Sequence, residues 1–339
     1  MAGSQMWAEM LEQPAVLRHL GDRRGALLPS LRAAIPPQLA GSVLVARGSS
    51  DHAAVYGRYL LEMASHRPVA LAAPSLHTLY GASTDYRGYL AVAISQSGRT
   101  PEITTLLDRL QAAGARGVAI TNDPSSPLAT AAIAVIDLDA GDELAVPATK
   151  TLTAQMAAFC VMAEAFGLAF GDDGWRALAD GVEEVLDDDR PSQSVAAAIG
   201  DAPALLAVGR GFHMSAALET ALKLKETTGI AAEGYSTADL RHGPVAIVGD
   251  EFPVLAFTSS GPAAADVEAL VADLRVRRAR VWVVGDEEGA DLPIPAGLPE
   301  QIAPIVAVVR GQQIARHLAL IRGIDPDRPL GLSKVTITR

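Results

Sequence analysis

Residues Gly41–Asp51 read GSVLVARGSSD, and the fold can be read outward from them. Gly41 to Ala46 is a short apolar run of strand length. Arg47-Gly48-Ser49-Ser50 is a small-residue turn, and a helical pattern follows to about Ser65. Strand, Gly/Ser turn and helix start together present backbone N–H groups and hydroxyls to an anion. The first amides of a helix have no intrahelical acceptor, and they sit at the positive end of its dipole.

The same grammar recurs. Tyr89–Ile94 (YLAVAI) reads as a buried strand, SQSGR as a second turn, and Thr100-Pro101-Glu102 as a helix start with a capping hydroxyl and Pro at its first position. That helix runs to about Ala113, where Gly114 stops it. Gly117–Thr121 and Ala132–Leu138 are further strands. Strands alternating with helices predict an α/β fold with a parallel sheet covered on both faces, and a ligand at the carboxyl ends of the strands. Both Ser-rich turns fall there. A single such turn can be an ordinary helix cap; two at corresponding strand ends suit a phosphate monoester held by neutral donors.

An internal repeat extends this reading over the whole chain. Arg47-Gly48 pairs with Arg210-Gly211, Ser97-Gly98 with Ser260-Gly261, and Val118 and Asp123 with Val281 and Asp286, all at one constant offset. The chain therefore reads as two copies of one α/β unit. Ser49-Ser50 of the first copy is Phe212-His213 in the second, so the first copy keeps the anion-binding chemistry. Residues 4–35 read as a helical arm with a break or fresh start at Pro14. Apolar helices follow near 151–167 and 175–187, and Pro191, Ser192 and Ser194 read as a linker. The plan is an arm over 1–35, a first domain over 36–192 and a second over 193–339.

The second copy carries the stretch Gly209–Pro244, GRGFHMSAALETALKLKETTGIAAEGYSTADLRHGP. Glu219, Lys223 and Glu226 share one helical face beside the stripe of Met214, Ala217, Leu218, Ala221 and Leu222. Gly229 ends the helix, and a polar segment leads to Arg241-His242-Gly243-Pro244. A carboxylate, an imidazole and an amine suit proton transfer on a carbonyl compound, with Glu226, His242, Lys223 and Lys334 as candidates. A Glu-Lys-Glu stripe is ordinarily a solvated helix face, and a loop His or a tail Lys is ordinarily idle.

Composition narrows the partners. The chain has 339 residues, 49% of them hydrophobic and 20% charged, and a formal net charge of -11. That is enough apolar material for two cores, and the acidic balance disfavours nucleic acid and anionic membrane. No run approaches the length of a spanning helix, no His or Cys spacing indicates a metal, and no cofactor motif is present. The one cysteine, Cys160, reads as a buried thiol. With no signal peptide at the start, the expected compartment is the cytoplasm.

Taken together, RGSS, SQSGRT, AVPATKT, LETALKLKE, DLRHGP, IAPIV, LALIRGIDPDRP and LSK resemble the isomerase half of glucosamine-6-phosphate synthase, over nearly the whole chain. The resemblance implies two tandem sugar isomerase (SIS) domains, flavodoxin-like and three-layered α/β/α. It implies that Ser49, Ser50, Ser95, Gln96, Ser97 and Thr100 hold the sugar phosphate, with backbone near Val146 touching the sugar. It also implies Glu226 as proton shuttle between C1 and C2, His242 as ring-opening acid/base, Lys334 as the amine meeting the open-chain ketose, and Lys223 as an aid near O2. In the family the His comes from the neighbouring subunit, which implies a homodimer with shared sites and a phosphosugar ligand.

The departures are Arg47 for the family's Cys, Ala148 for a Ser, Asp239-Leu240-Arg241 for Glu-Leu-Lys, and the absence of a Ser after Lys334. The glutaminase domain is missing from this sequence. The expected activity is a stand-alone glucosamine-6-phosphate deaminase. A phosphosugar isomerase, a fructosamine-6-phosphate deglycase and a non-catalytic phosphosugar sensor are the alternatives.

Overall fold

A computed structural model describes residues 2–334. Ten strands lie among them: β1 Gly41–Val45, β2 Val69–Leu71, β3 Tyr89–Ile94, β4 Arg116–Thr121, β5 Ala134–Asp137, β6 Ala204–Gly209, β7 Ala231–Ser236, β8 Pro253–Phe257, β9 Arg280–Gly285 and β10 Leu292–Pro293. They form two five-stranded parallel sheets, ordered β2-β1-β3-β4-β5 and β10-β9-β8-β6-β7. Read from its own first strand, the second sheet has the order of the first. The chain is thus two α/β halves of one topology with flanking helices, as the repeat predicts.

The repeat extends to packing. Val43, Val45, Ala91 and Ala93 of the first sheet are buried against Ile103, Leu106, Leu107 and Leu110 of helix Pro101–Ala112. Their counterparts at the repeat's offset are Leu206, Val208, Val254 and Ala256, buried against Val267, Leu270, Val271 and Leu274 of helix Ala264–Val276. Each such Val, Leu or Ile side chain contributes about 1.5–3 kcal/mol by leaving water, which is what holds each helix across its sheet. Cys160 is buried as expected, its Sγ 3.1 Å from Tyr56 Oη, and burial pushes its thiol up to about 12.

By internal contacts the chain forms two compact units. One comprises Ala15–Glu143 and Lys150–Trp175 and contains the first sheet. The other comprises residues 2–14, Leu144–Thr149 and Arg176–Lys334, and contains the second.

The arm is two helices, Ser4–Leu11 and Gln13–Ala34, and the fresh start falls at Pro14, in the first turn of the second, where its missing N–H costs nothing. Other local expectations need correction. Pro191, Ser192 and Ser194 are not a linker but part of helix Arg190–Ile199, with Pro191 again in the first turn. The polar segment after Gly229 contains a strand, β7. Its sequence AAEGYS lacks the β-branched signal because it lies at a sheet edge. Gly234 is required there: a Cβ would sit 2.7 Å from the Leu218 backbone.

Candidate functional site

The first unit builds a seat for an anion from local geometry. β1 and β3 are hydrogen-bonded neighbours, with Val45 opposite Ala93. They are also the strands between which the sheet order reverses, the switch point where open α/β sheets take ligands. Arg47-Gly48-Ser49-Ser50 leaves β1 and Ser95-Gln96-Ser97-Gly98 leaves β3. Ser50 and Ser95 are buried, and Ser49, Gln96, Ser97 and Thr100 are half-buried.

The Thr100 hydroxyl is not spent on capping. Thr100 stands at the N-cap of helix Pro101–Ala112, yet its side chain caps nothing, and Gly48 before helix Ser49–Ser65 has no side chain to cap with. Thr100 Oγ1 lies 3.4 Å from Ser95 Oγ instead. The expectation of a capping hydroxyl at Thr100 is therefore corrected, in the direction that leaves donors for a ligand.

Framework contacts fix both turns. The Gln96 carbonyl accepts from Asn122 N at 3.0 Å and Thr121 Oγ1 at 3.3 Å, tying the second turn to the end of β4. Gly98 has φ 60°, and a Cβ there would meet Ser126 Oγ at 2.1 Å. Arg47, where the family has a Cys, makes a two-pronged pair with the buried Glu102, at 2.9 and 3.0 Å. Burial raises the Asp51 carboxyl above its ordinary range against the pull of His52 and Arg47.

The second unit supplies groups suited to proton transfer. Lys223 lies on helix His213–Thr228 with 1% of its side chain exposed. Its Nζ is 3.4 Å from Glu219 Oε1, also 1% exposed, and it hydrogen-bonds Glu226 Oε2, whose side chain keeps 22% of its surface. Burial alone would lower the Lys223 ammonium, but the carboxylates of Glu219 and Glu226 outweigh it and the pKa is raised. Lys223 is thus held charged, as a hydrogen-bond donor and not a nucleophile. The stripe is not a solvated face: helix His213–Thr228 packs against helix Ala303–Ile321 and buries it. Glu219 is the member that sequence reasoning left without a role; its place beside the apolar stripe was the available signal.

Lys334 reaches the residue before Val146. Lys334 Nζ donates to the Ala145 carbonyl at 2.8 Å, and the Val146 N–H donates to the Asp327 carbonyl at 3.0 Å. Glu9, fully buried, accepts from the N–H groups of Leu144 and Ala145, and Asp327 accepts from those of Gln5 and Met6. The N-terminal helix therefore pins the backbone that Lys334 touches, a role no local pattern announces because the partners are distant along the chain. His242 stands apart from these groups, exposed after helix Thr237–Arg241, and its ring has no hydrogen-bond partner among the described residues.

Among the described residues no group of His, Cys, Asp and Glu is arranged to hold a metal, and no helix is long and apolar enough to cross a membrane. The chemistry present is that of hydroxyls, backbone donors, a carboxylate and ammonium groups.

Comparisons with known proteins agree with the two-half fold. The SIS domain family profile matches residues 42–165 and 199–293, one segment in each half. Glutamine--fructose-6-phosphate aminotransferase [isomerizing] of Gloeobacter violaceus is 33% identical over 97% of this chain, which spans 58% of that protein's length. The crystal structure of a candidate phosphosugar isomerase from Silicibacter pomeroyi DSS-3 superposes with a TM-score of 0.82 at 32% identity, covering 96% of this chain and all of that one. The C-terminal domain of glucosamine-fructose-6-phosphate aminotransferase from Francisella tularensis shares the fold, with a TM-score of 0.82 at 24% identity over 96% of this chain and 98% of its own. With both halves matched and both built on one topology, the chain belongs to the SIS-domain family, as a tandem pair homologous to the isomerase half of glutamine-fructose-6-phosphate aminotransferase.

Proposed function

We propose that the chain is an aldose–ketose type enzyme acting on an amino-sugar phosphate, most simply a glucosamine-6-phosphate deaminase. The observation that carries this reading is Glu226, a partly exposed carboxylate hydrogen-bonded to a buried ammonium that is itself backed by Glu219. A carboxylate so placed can take a carbon-bound proton while the neighbouring positive charge steadies the enediolate or enolamine that forms.

In this reading Ser49, Ser50, Ser95, Gln96, Ser97 and Thr100 hold the phosphate, and backbone at Val146 contacts the sugar. His242 from a second copy protonates the ring oxygen to open the hemiacetal. Glu226 removes the C2 proton and returns it to C1. The resulting C2 imine adds water and expels ammonia, so glucosamine 6-phosphate and water give fructose 6-phosphate and ammonia. Lys223 stays protonated throughout, and Lys334 is the amine facing the open-chain ketose. The homology to an amino-sugar-forming isomerase domain and the retention of Glu226, Lys223, His242 and Lys334 support the assignment.

Ammonia release by the purified chain from glucosamine 6-phosphate, compared with galactosamine and fructosamine phosphates, tests it. Glu226→Gln should lose about 10²–10⁴-fold of the rate while still binding the phosphosugar. Turnover that survives this change sinks the shuttle. Ketose formation without ammonia points to an isomerase, amine release from fructosamine phosphates to a deglycase, and binding without turnover to a sensor.

A further inference from the structure

The second half keeps the Ser-Gly turn but fills it from within. Ser260-Gly261 is the repeat counterpart of Ser97-Gly98 and lies between β8 and helix Ala264–Val276. In the first half, neither the Ser97 nor the Thr100 N–H meets a protein acceptor among the described residues. Their counterparts in the second half are Ser260 and Ala263. Ser260 N donates to Asp286 Oδ1 at 2.8 Å. Glu300 lays its carboxylate on the turn so closely that a Cβ at Gly261 would sit 2.6 Å from Cδ and 2.7 Å from Oε2. Burial raises the Glu300 carboxyl, while the neighbouring Ala263 backbone favours its charged form.

A third group lies beside the turn. His213 occupies the position of Ser50, is buried, and sets Nε2 2.8 Å from Ser259 Oγ. Its Nδ1 is buried with no partner among the described residues. Backbone donors at a helix start with carboxylates resting on them make a turn whose own occupant is an anion.

We propose that Ser259–Ala263 is a second anion seat, of the phosphate-monoester kind, held shut by the chain's own Glu300 carboxylate. The carboxylate stands in for a ligand: it meets the donors a phosphate would use, and together with Asp286 it repels one. The two halves are thereby made unequal, with one seat open and one self-filled. This concerns a different turn from the one used above and does not depend on which reaction the chain performs.

Equilibrium dialysis of the full chain against radiolabelled inorganic phosphate tests it, because the readout is a difference in binding sites. Glu300→Ala should bind one more phosphate per chain than the wild type, whatever the wild-type count. Glu300→Gln, which refills the seat with a neutral amide, should add none. An unchanged count in a Glu300→Ala protein that melts like the wild type overturns the proposal. Should Glu300→Ala fold poorly, amide NMR of the wild type and Glu300→Gln decides: the Ala263 N–H resonance shifts if the carboxylate fills the seat, and a resonance that stays in place overturns it. A chain with no activity on any phosphosugar would end the functional reading and leave this count intact.

Discussion

The ammonium of Lys223 lies 3.4 Å from the Glu219 carboxylate, and each side chain keeps 1% of its surface. A buried pair of this kind is weak evidence of stability in itself, because both ions lose their hydration. Its consequence is positional. Glu219 keeps Lys223 charged, and Lys223 holds Glu226 by a hydrogen bond. Lys223→Met should destabilise the fold by about 3–5 kcal/mol, since a buried carboxylate loses its counter-ion. Lys223→Met with Glu219→Met should recover most of that loss in urea unfolding while activity stays lost. A single variant as stable as the wild type would contradict the pairing.

The helix that carries these groups depends on one close approach. A Cβ at Gly311 would lie 2.0 Å from Thr220 Oγ1, where helix Ala303–Ile321 crosses helix His213–Thr228. Gly311→Ala should therefore cost about 1–3 kcal/mol through overpacking. It should also lower kcat, because Thr220 is next to Glu219 in sequence and the helix must shift. Thr220→Ser keeps the Oγ1 clash and removes only a methyl, so it should not rescue the variant. Thr220→Ala should.

Acid sensitivity is expected from His213. Burial pushes its imidazole down to about 3, against 6.5 when unfolded. The folded state thus holds it neutral, and the unfolded chain binds the proton first as pH falls. Its contribution is complete above pH 6.5 and is lost between about 6.5 and 3, at roughly 1.4 kcal/mol per pH unit. The melting temperature of the wild type should fall through that window, and that of His213→Gln should fall less steeply. Parallel pH profiles for the two would rule the imidazole out.

Glu9 should matter to catalysis without touching substrate. Its carboxylate holds the backbone of Leu144 and Ala145, and the Ala145 carbonyl receives Lys334 Nζ. Glu9→Ala is expected to lower kcat about tenfold, the equivalent of roughly 1.4 kcal/mol, with KM little changed. Glu9→Gln, which keeps one acceptor oxygen, should restore part of the rate. A stability loss with kcat intact would make Glu9 purely structural.

Much of this molecule is legible in the sequence. A period-two or continuous apolar run, a Gly/Ser turn and a helix start are local signals, and one constant offset between matching turns joins them into two copies. β1, β3, β4 and β5 lie where those signals place them, and the repeat carries the same order into the second sheet. The two second strands, β2 and β7, were not legible. Both are sheet-edge strands with weak strand composition, and pairing with β1 and β6 decides their conformation.

Residue types and spacings alone determined the repeat, the Ser-rich turns and the shared face of Glu219, Lys223 and Glu226. Only the tertiary structure decided that this face is buried, that the Thr100 hydroxyl caps nothing, that Lys334 meets the Ala145 carbonyl, and that Glu300 closes the second turn. The reason is physical: helix and turn formation answer to neighbours a few positions away, whereas hydration and charge pairing answer to whatever packs against a surface. Glu300 reaches Gly261 across the whole of a helix and two strands, a distance no local pattern spans.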